Sequence, residues 1–146
     1  MTIQQVEDGV GLSGAMTAED LENAQQQGFQ ALICNRRPAE SADHDEQALA
    51  QKAQSLGLSW TCIPVATGEY SDADVAAFHE ALETLPRPLL IFCRSGRRSI
   101  HLWALARIRH DGEQPETVLE RMRALGHDPE TLRPLLKPAG GSPDPE

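Results

Sequence analysis

The chain is poor in cysteine. Cys34, Cys62 and Cys93 are the only three in 146 residues, and they form no CxxC pair. That argues against a disulfide framework or a zinc site. Long apolar runs are also absent, so nothing is expected to span a bilayer. The first residues, MTIQQVEDGV, lack the basic and apolar regions of a signal peptide. A reducing cytoplasm is therefore the expected compartment, where a free reactive thiol survives. Basic excess is missing too. Lys and Arg number 13 against 22 Asp and Glu, for a net charge of -9 and a pI near 5.0. Nucleic acid and anionic membrane surfaces are thus poor partners. Neither a cofactor nor a metal is expected.

What is present suits a single domain. Hydrophobic content is 40% and charged content 24%, close to globular averages. One catalytic domain over 1–137 is expected, with a flexible tail over 138–146 that is rich in Pro and Gly.

The most informative segment is Leu89-Leu90-Ile91-Phe92-Cys93-Arg94-Ser95-Gly96-Arg97-Arg98-Ser99. A short apolar strand ends in a cysteine, an arginine-rich turn follows, and a helical run from Ile100 to Ile108 begins at once. This order places the thiol at a helix N-terminus, where free N–H groups and the helix dipole favour thiolate over thiol. Arg94, Arg97 and Arg98 add positive charge against an acidic background. The loop reads as an anion cradle around a nucleophilic sulfur.

Around it, strands alternate with helices. Strands are expected at Phe29–Cys34, Leu58–Val65 and Leu89–Phe92, and a short strand or turn at Val10–Gly14. Helices are expected at Ala18–Gln27 behind a Thr17 cap, Gln47–Leu56, Ser71–Leu85, Ile100–Ile108, Pro115–Leu125 and Pro129–Leu136. The alternation implies a mostly parallel sheet covered on both faces, with a site at the C-terminal strand ends. The loops after Cys34, after Val65 and at Cys93 then share one rim. The acidic loop with Glu40, Asp43, His44, Asp45 and Glu46 belongs to it.

The spacing Cys-x-x-Gly-x-Arg-Ser resembles the active loop of single-domain rhodanese sulfurtransferases. Tyrosine and dual-specificity phosphatases carry five residues between cysteine and arginine, whereas four separate Cys93 from Arg98. The wider chain, about 3–112, resembles the beta-lactamase hydrolase-like protein family in its phosphatase-like domain. The resemblance rests on Leu12-Ser13-Gly14, Ile33-Cys34-Asn35-Arg36, Ile63-Pro64-Val65, and Cys93 to Ala106. Arg37-Pro38-Ala39-Glu40 departs from the Arg-Pro-Asp-Gly-Glu turn expected there. The resemblance implies a three-layer α/β/α fold of the protein tyrosine phosphatase type, dual-specificity branch. Its members are called phosphatase-like or sulfur transferases, and the domain also occurs fused to a persulfide dioxygenase.

The favoured expectation is sulfur transfer through a Cys93 persulfide, with Arg98 and the amides of 94–99 holding the anion. The second is phosphoester hydrolysis through a phosphocysteine, and the third a non-catalytic persulfide- or anion-binding module serving a persulfide dioxygenase. The ligand is accordingly a small anionic sulfur donor or a phosphate ester. A phosphatase also needs an acid for the leaving oxygen. Ala66-Thr67-Gly68 offers none where dual-specificity phosphatases have aspartate, and Glu69 and Asp72 are the nearest substitutes. Arg98 is the primary anion ligand expected, with Arg94, Ser95, Gly96, Arg97 and Ser99 completing the loop. Ser99 is read as an N-cap, a donor to the thiolate, or both. Cys34, Cys62, Trp60 and Trp103 are read as core residues. His79 and His101 are read as structural or surface residues.

Overall fold

The computed structural model describes residues 3–37 and 46–136. The loop from Pro38 to Asp45, including His44, and the expected tail lie outside the described residues.

Apolar tetrapeptides build the centre of the sheet. β1 is Gln4–Glu7, β2 Val10–Ser13, β3 Ala31–Cys34, β4 Ser59–Cys62 and β5 Leu89–Phe92. They form one sheet in the order β1-β2-β5-β3-β4. β2, β5, β3 and β4 run parallel, while β1 lies antiparallel to β2 at one edge. β2, β3 and β5 are buried throughout, as a parallel sheet covered on both faces requires.

Alternate side chains of these strands feed two cores. Leu89 and Ile91 of β5 join Ala31 and Ile33 in one. There they meet α3 (Asp72–Thr84), α4 (Arg97–Arg109) and α5 (Pro115–Ala124). Leu90 and Phe92 join Leu32 and Cys34 in the other, under α1 (Ala18–Gln26) and α2 (Glu46–Ser55). Each fully buried Leu, Ile or Phe contributes about 1.5–3 kcal/mol. Capping boxes start two helices. Thr17 and Asp20 exchange hydrogen bonds at α1, and Ser71 and Asp74 do so at α3. Every residue of α4 from Arg98 to Arg107 is buried, so the expected central helix is present.

Several expectations need correction. β1 was not anticipated, because only Val6 in Gln-Gln-Val-Glu is apolar and buried. The helix expected over Pro129–Leu136 is two 3₁₀ segments, Pro129–Thr131 and Arg133–Leu136. Pro134 cannot donate an N–H and its ring obstructs a continuous α-helix. Cys62 is exposed on edge strand β4 rather than in the core, and Trp60 is half-buried, while Cys34 and Trp103 are buried as expected.

β1 is held by Glu7. Its carboxylate accepts from Trp103 Nε1 at 2.7 Å, Arg107 Nε at 3.0 Å and Arg87 Nη1 at 3.2 Å. Partial burial alone would raise the Glu7 carboxyl. The bonds from Arg107, Trp103 and Arg87 outweigh it and hold the group below the usual carboxylate range. A carboxylate depressed in the folded state stabilises above its unfolded pKa, and that stability is lost as pH falls through the folded value. Glu7→Gln should lower stability at pH 7 by about 1–3 kcal/mol. It should also flatten the loss of stability below pH ~4. Urea unfolding across pH 3–7 (approximately the carboxylate titration range) checks both effects, and an unchanged acid limb would remove Glu7 from that role.

Candidate active site

Strand β5 delivers Cys93 to the C-terminal edge of the sheet, and α4 departs four residues later. Between them the chain must reverse sharply. Gly96 does so at φ 91, in the left-handed region that disfavours a side chain. Gly96 is also the N-cap of α4, and its carbonyl accepts the Ile100 N–H at 3.0 Å. The turn is pinned from β2: the Ala15 N–H donates to Arg94 O at 3.0 Å. A Cβ on Gly14 would stand 3.2 Å from that same oxygen, so a bare glycine permits the approach.

Cys93 is fully buried, and its Sγ accepts the Gly96 N–H at 3.1 Å. This donor belongs to the N-cap residue of α4, so the sulfur sits at the start of that helix. Arg98 is 6% exposed. Its Nη1 donates to Val65 O at 2.9 Å and to Asn35 O at 3.5 Å. The guanidinium is thereby fixed at the junction of the loops after β3 and β4. Arg37, Ala66, Thr67, Arg94, Ser95 and Arg98 line a cleft of about 600 Å³ over this junction. The three rim loops expected from the sequence therefore converge.

The arginines of the loop divide. Arg94 is exposed and lines the cleft, whereas Arg97 is exposed and does not. Arg97 instead acts electrostatically on His101 and His127. Ser99 departs from both roles expected of it. Gly96 holds the cap, and the Ser99 hydroxyl donates to Asn35 Oδ1 at 2.8 Å rather than to sulfur. A hydroxyl has one hydrogen to give.

Two residues were not singled out. Asn35, fully buried, donates from Nδ2 to Ile63 O at 2.9 Å while its Oδ1 receives Ser99. An asparagine just past a buried strand was the available signal. Tyr70 lies within electrostatic reach of Cys93, and its hydroxyl is 2.8 Å from His101 Nδ1. His101 Nε2 is 2.9 Å from Thr131 Oγ1, whose own hydrogen goes to Asp128 O at 2.7 Å. Thr131 must therefore accept from Nε2–H, leaving Nδ1 to accept the Tyr70 O–H. Burial, followed by Arg97 and His127, pushes His101 down to about 4 and keeps it neutral. Burial also pushes the Tyr70 phenol up, so it stays protonated. His101 is thus a buried structural residue, as read from the sequence. His79 is structural as well, 2.9 Å from Asp111.

Neither Glu69 nor Asp72 lines the cleft, and Asp72 pairs with Arg109 at 3.4 Å. Among the described residues the cleft has no carboxylate wall. No helix among the described residues is long and apolar enough to cross a membrane.

Known proteins share this fold. A beta-lactamase hydrolase-like protein of Xylella fastidiosa is 30% identical over 112 residues, which cover 74% of this chain and 25% of the relative. The chain thus spans about a quarter of that relative's length. A Neisseria meningitidis structure, provisionally named a phosphatase, superposes with a TM-score of 0.78 at 26% identity, covering 92% of this chain and 98% of that one. Kinase associated phosphatase, solved with its catalytic-site cysteine replaced by serine, has a TM-score of 0.74 at 20% identity, covering 92% and 89%. That likeness shows the phosphatase-type α/β fold. Residues 3–110 match the family described as "Beta-lactamase hydrolase-like protein, phosphatase-like domain", and the chain belongs to that family.

Proposed function

We propose that the protein is a cysteine-dependent phosphatase acting on phosphate monoesters. The observation that carries this reading is the seat around Cys93. Its sulfur receives the Gly96 N–H at 3.1 Å at the start of α4, and Arg94, Ser95 and Arg98 of the same loop line the cleft. The family's phosphatase-like character and the Neisseria structure support it. This reorders the expectations from the sequence, which put sulfur transfer first.

In the first step the Cys93 thiolate attacks phosphorus. The S–P bond forms as the P–O bond to the leaving group breaks, and the leaving oxygen takes a proton from solvent water. Water then attacks phosphorus, the S–P bond breaks, and phosphate departs with the thiolate restored. Arg98 and the backbone N–H groups of Arg94, Ser95, Gly96 and Arg97 would meet the charge on the phosphoryl oxygens. Ser99 would serve through Asn35, as a positioning residue. With no carboxylate among the described residues lining the cleft, esters with good leaving oxygens should react best.

One observation favours a second reading, sulfur transfer. The spacing from Cys93 to Arg98 is one residue shorter than the phosphatase spacing. In that reaction the thiolate attacks the outer sulfur of thiosulfate, an S–S bond forms, and sulfite leaves. A thiol or cyanide then removes the sulfur and restores the thiolate. No acid for an alkoxide is required.

Intact mass separates the two. After a rapid acid quench with an aryl phosphate, Cys93 should carry one phosphoryl group, and Cys93→Ser should carry none and have no turnover. A gain of one sulfur from thiosulfate, with no phosphorylated enzyme, would give the second reading precedence. Arg98→Lys should lower kcat/KM with aryl phosphate by about 10²-fold or more, because an ammonium lacks the guanidinium's planar fork. Steady-state kinetics check this, and near wild-type activity would show that Arg98 serves the loops alone. Asn35→Ala should destabilise by about 1–3 kcal/mol, since Ser99 Oγ and Ile63 O lose their partner in the interior. Thermal unfolding measures that loss.

A further inference from the structure

The cleft holds more positive charge than one phosphoryl group needs. The Gly96 N–H already meets the sulfur and Arg98 already lines the cleft, yet Arg94 and Arg37 line the same cleft. Both are exposed, and they stand on two different loops, after β5 and after β3. This accumulation occurs in a chain of net charge -9. No hydrogen bond or ion pair engages the Arg94 guanidinium among the described residues, although its backbone carbonyl is fixed by Ala15. The remaining wall is Ala66, Thr67 and Ser95, small and partly polar, with no aromatic ring among the described lining residues. A phosphorylated aromatic side chain calls for an apolar or aromatic wall along its ring. At about 600 Å³, the cleft falls within the size range of small-molecule sites.

We infer that the site selects phosphate monoesters that carry a second anionic group, held between Arg94 and Arg37 while the first sits over Cys93. This rests on the reading of the Cys93 loop as an oxyanion seat. A sugar bisphosphate and a phosphorylated lipid headgroup share the required chemistry. Two guanidiniums converging from separate loops recognise an anion bidentately and fix its distance from the reacting phosphorus.

Calorimetry with small phosphonates tests the inference without turnover. Methylenediphosphonate should bind wild-type protein at least about tenfold more tightly than methylphosphonate, given charge-assisted bonds from two guanidiniums. Arg94→Gln and Arg37→Gln should each erase most of that preference, weakening methylenediphosphonate by a much larger factor than methylphosphonate. Arg97→Gln removes the same charge from the same loop but off the cleft, so it should shift both ligands slightly and alike. Circular dichroism establishes that each variant is folded. Equal affinity for the two phosphonates, or equal loss of both in Arg94→Gln, overturns the inference while leaving the phosphatase reading intact. Phenylphosphonate binding as tightly as the diphosphonate also overturns it, by assigning the extra space to a ring. Diphosphonate preference without any phosphorylated enzyme would support the inference and remove the hydrolytic reading. Binding of neither phosphonate would end both. Turnover of a hexose bisphosphate above the hexose monophosphate would identify a soluble substrate. Turnover of phosphatidylinositol phosphate in phosphatidylcholine vesicles above that monophosphate would identify a lipid headgroup. A failure of both to exceed the hexose monophosphate would overturn the proposed selectivity.

Discussion

The hydrogen bonding of Asn35 ties the functional end of the sheet together. Its N–H donates to Phe92 O at 2.9 Å, holding the end of β3 to the end of β5. Its carbonyl accepts from Val65 N–H and Arg98, and its side chain joins Ile63 to Ser99. One buried amide side chain and its backbone thus link the ends of β3 and β5, the loop after β4 and the first turn of α4. Each of these bonds is individually modest, on the order of 1 kcal/mol net. Their common effect is positional: Arg98 stays at the cleft because the carbonyls that hold it are themselves held. Buried polar networks carry such specificity when every member is satisfied.

How much was legible depended on whether a residue's partners were near it in sequence. β5, the cysteine loop and α4 could be read directly, because a buried strand, a glycine turn and an apolar helix follow one another without interruption. The convergence of the rim loops followed from the alternation of strands and helices, which implies a parallel sheet. Ser99 was misread for the opposite reason. Its hydrogen-bond partner is Asn35, far away along the chain, while the sulfur and the helix start are close by. Edge position hid β1 and misled the reading of Cys62 as core, since an edge strand does not need the apolar pattern of a central one. Glu7 shows what replaces that pattern: a carboxylate bonded to Trp103 and Arg107 of α4.

Family membership and loop spacing constrain the chemistry differently. The fold supplies a thiol at a helix start beside an arginine, an arrangement that serves phosphoryl or sulfur chemistry. Spacing and the makeup of the cleft wall then choose between them, and these features reside in loops. Function is accordingly a property of the rim rather than of the sheet. The arginines illustrate the point, because Arg98 is locked inside the fold whereas Arg94 stands exposed on the rim.

Cys93 follows directly from β5, which is paired on one side to β2 and on the other to β3. Strands flanked in this way open only with the whole molecule, whereas exposed loops open locally at far lower cost. Cys93 therefore sits against the last part of the structure to come apart. Heating should displace the exposed rim loops first, while the sulfur is still in place. Irreversible displacement of Cys93 should coincide with global unfolding, and its rate would report the kinetic stability of the sheet itself.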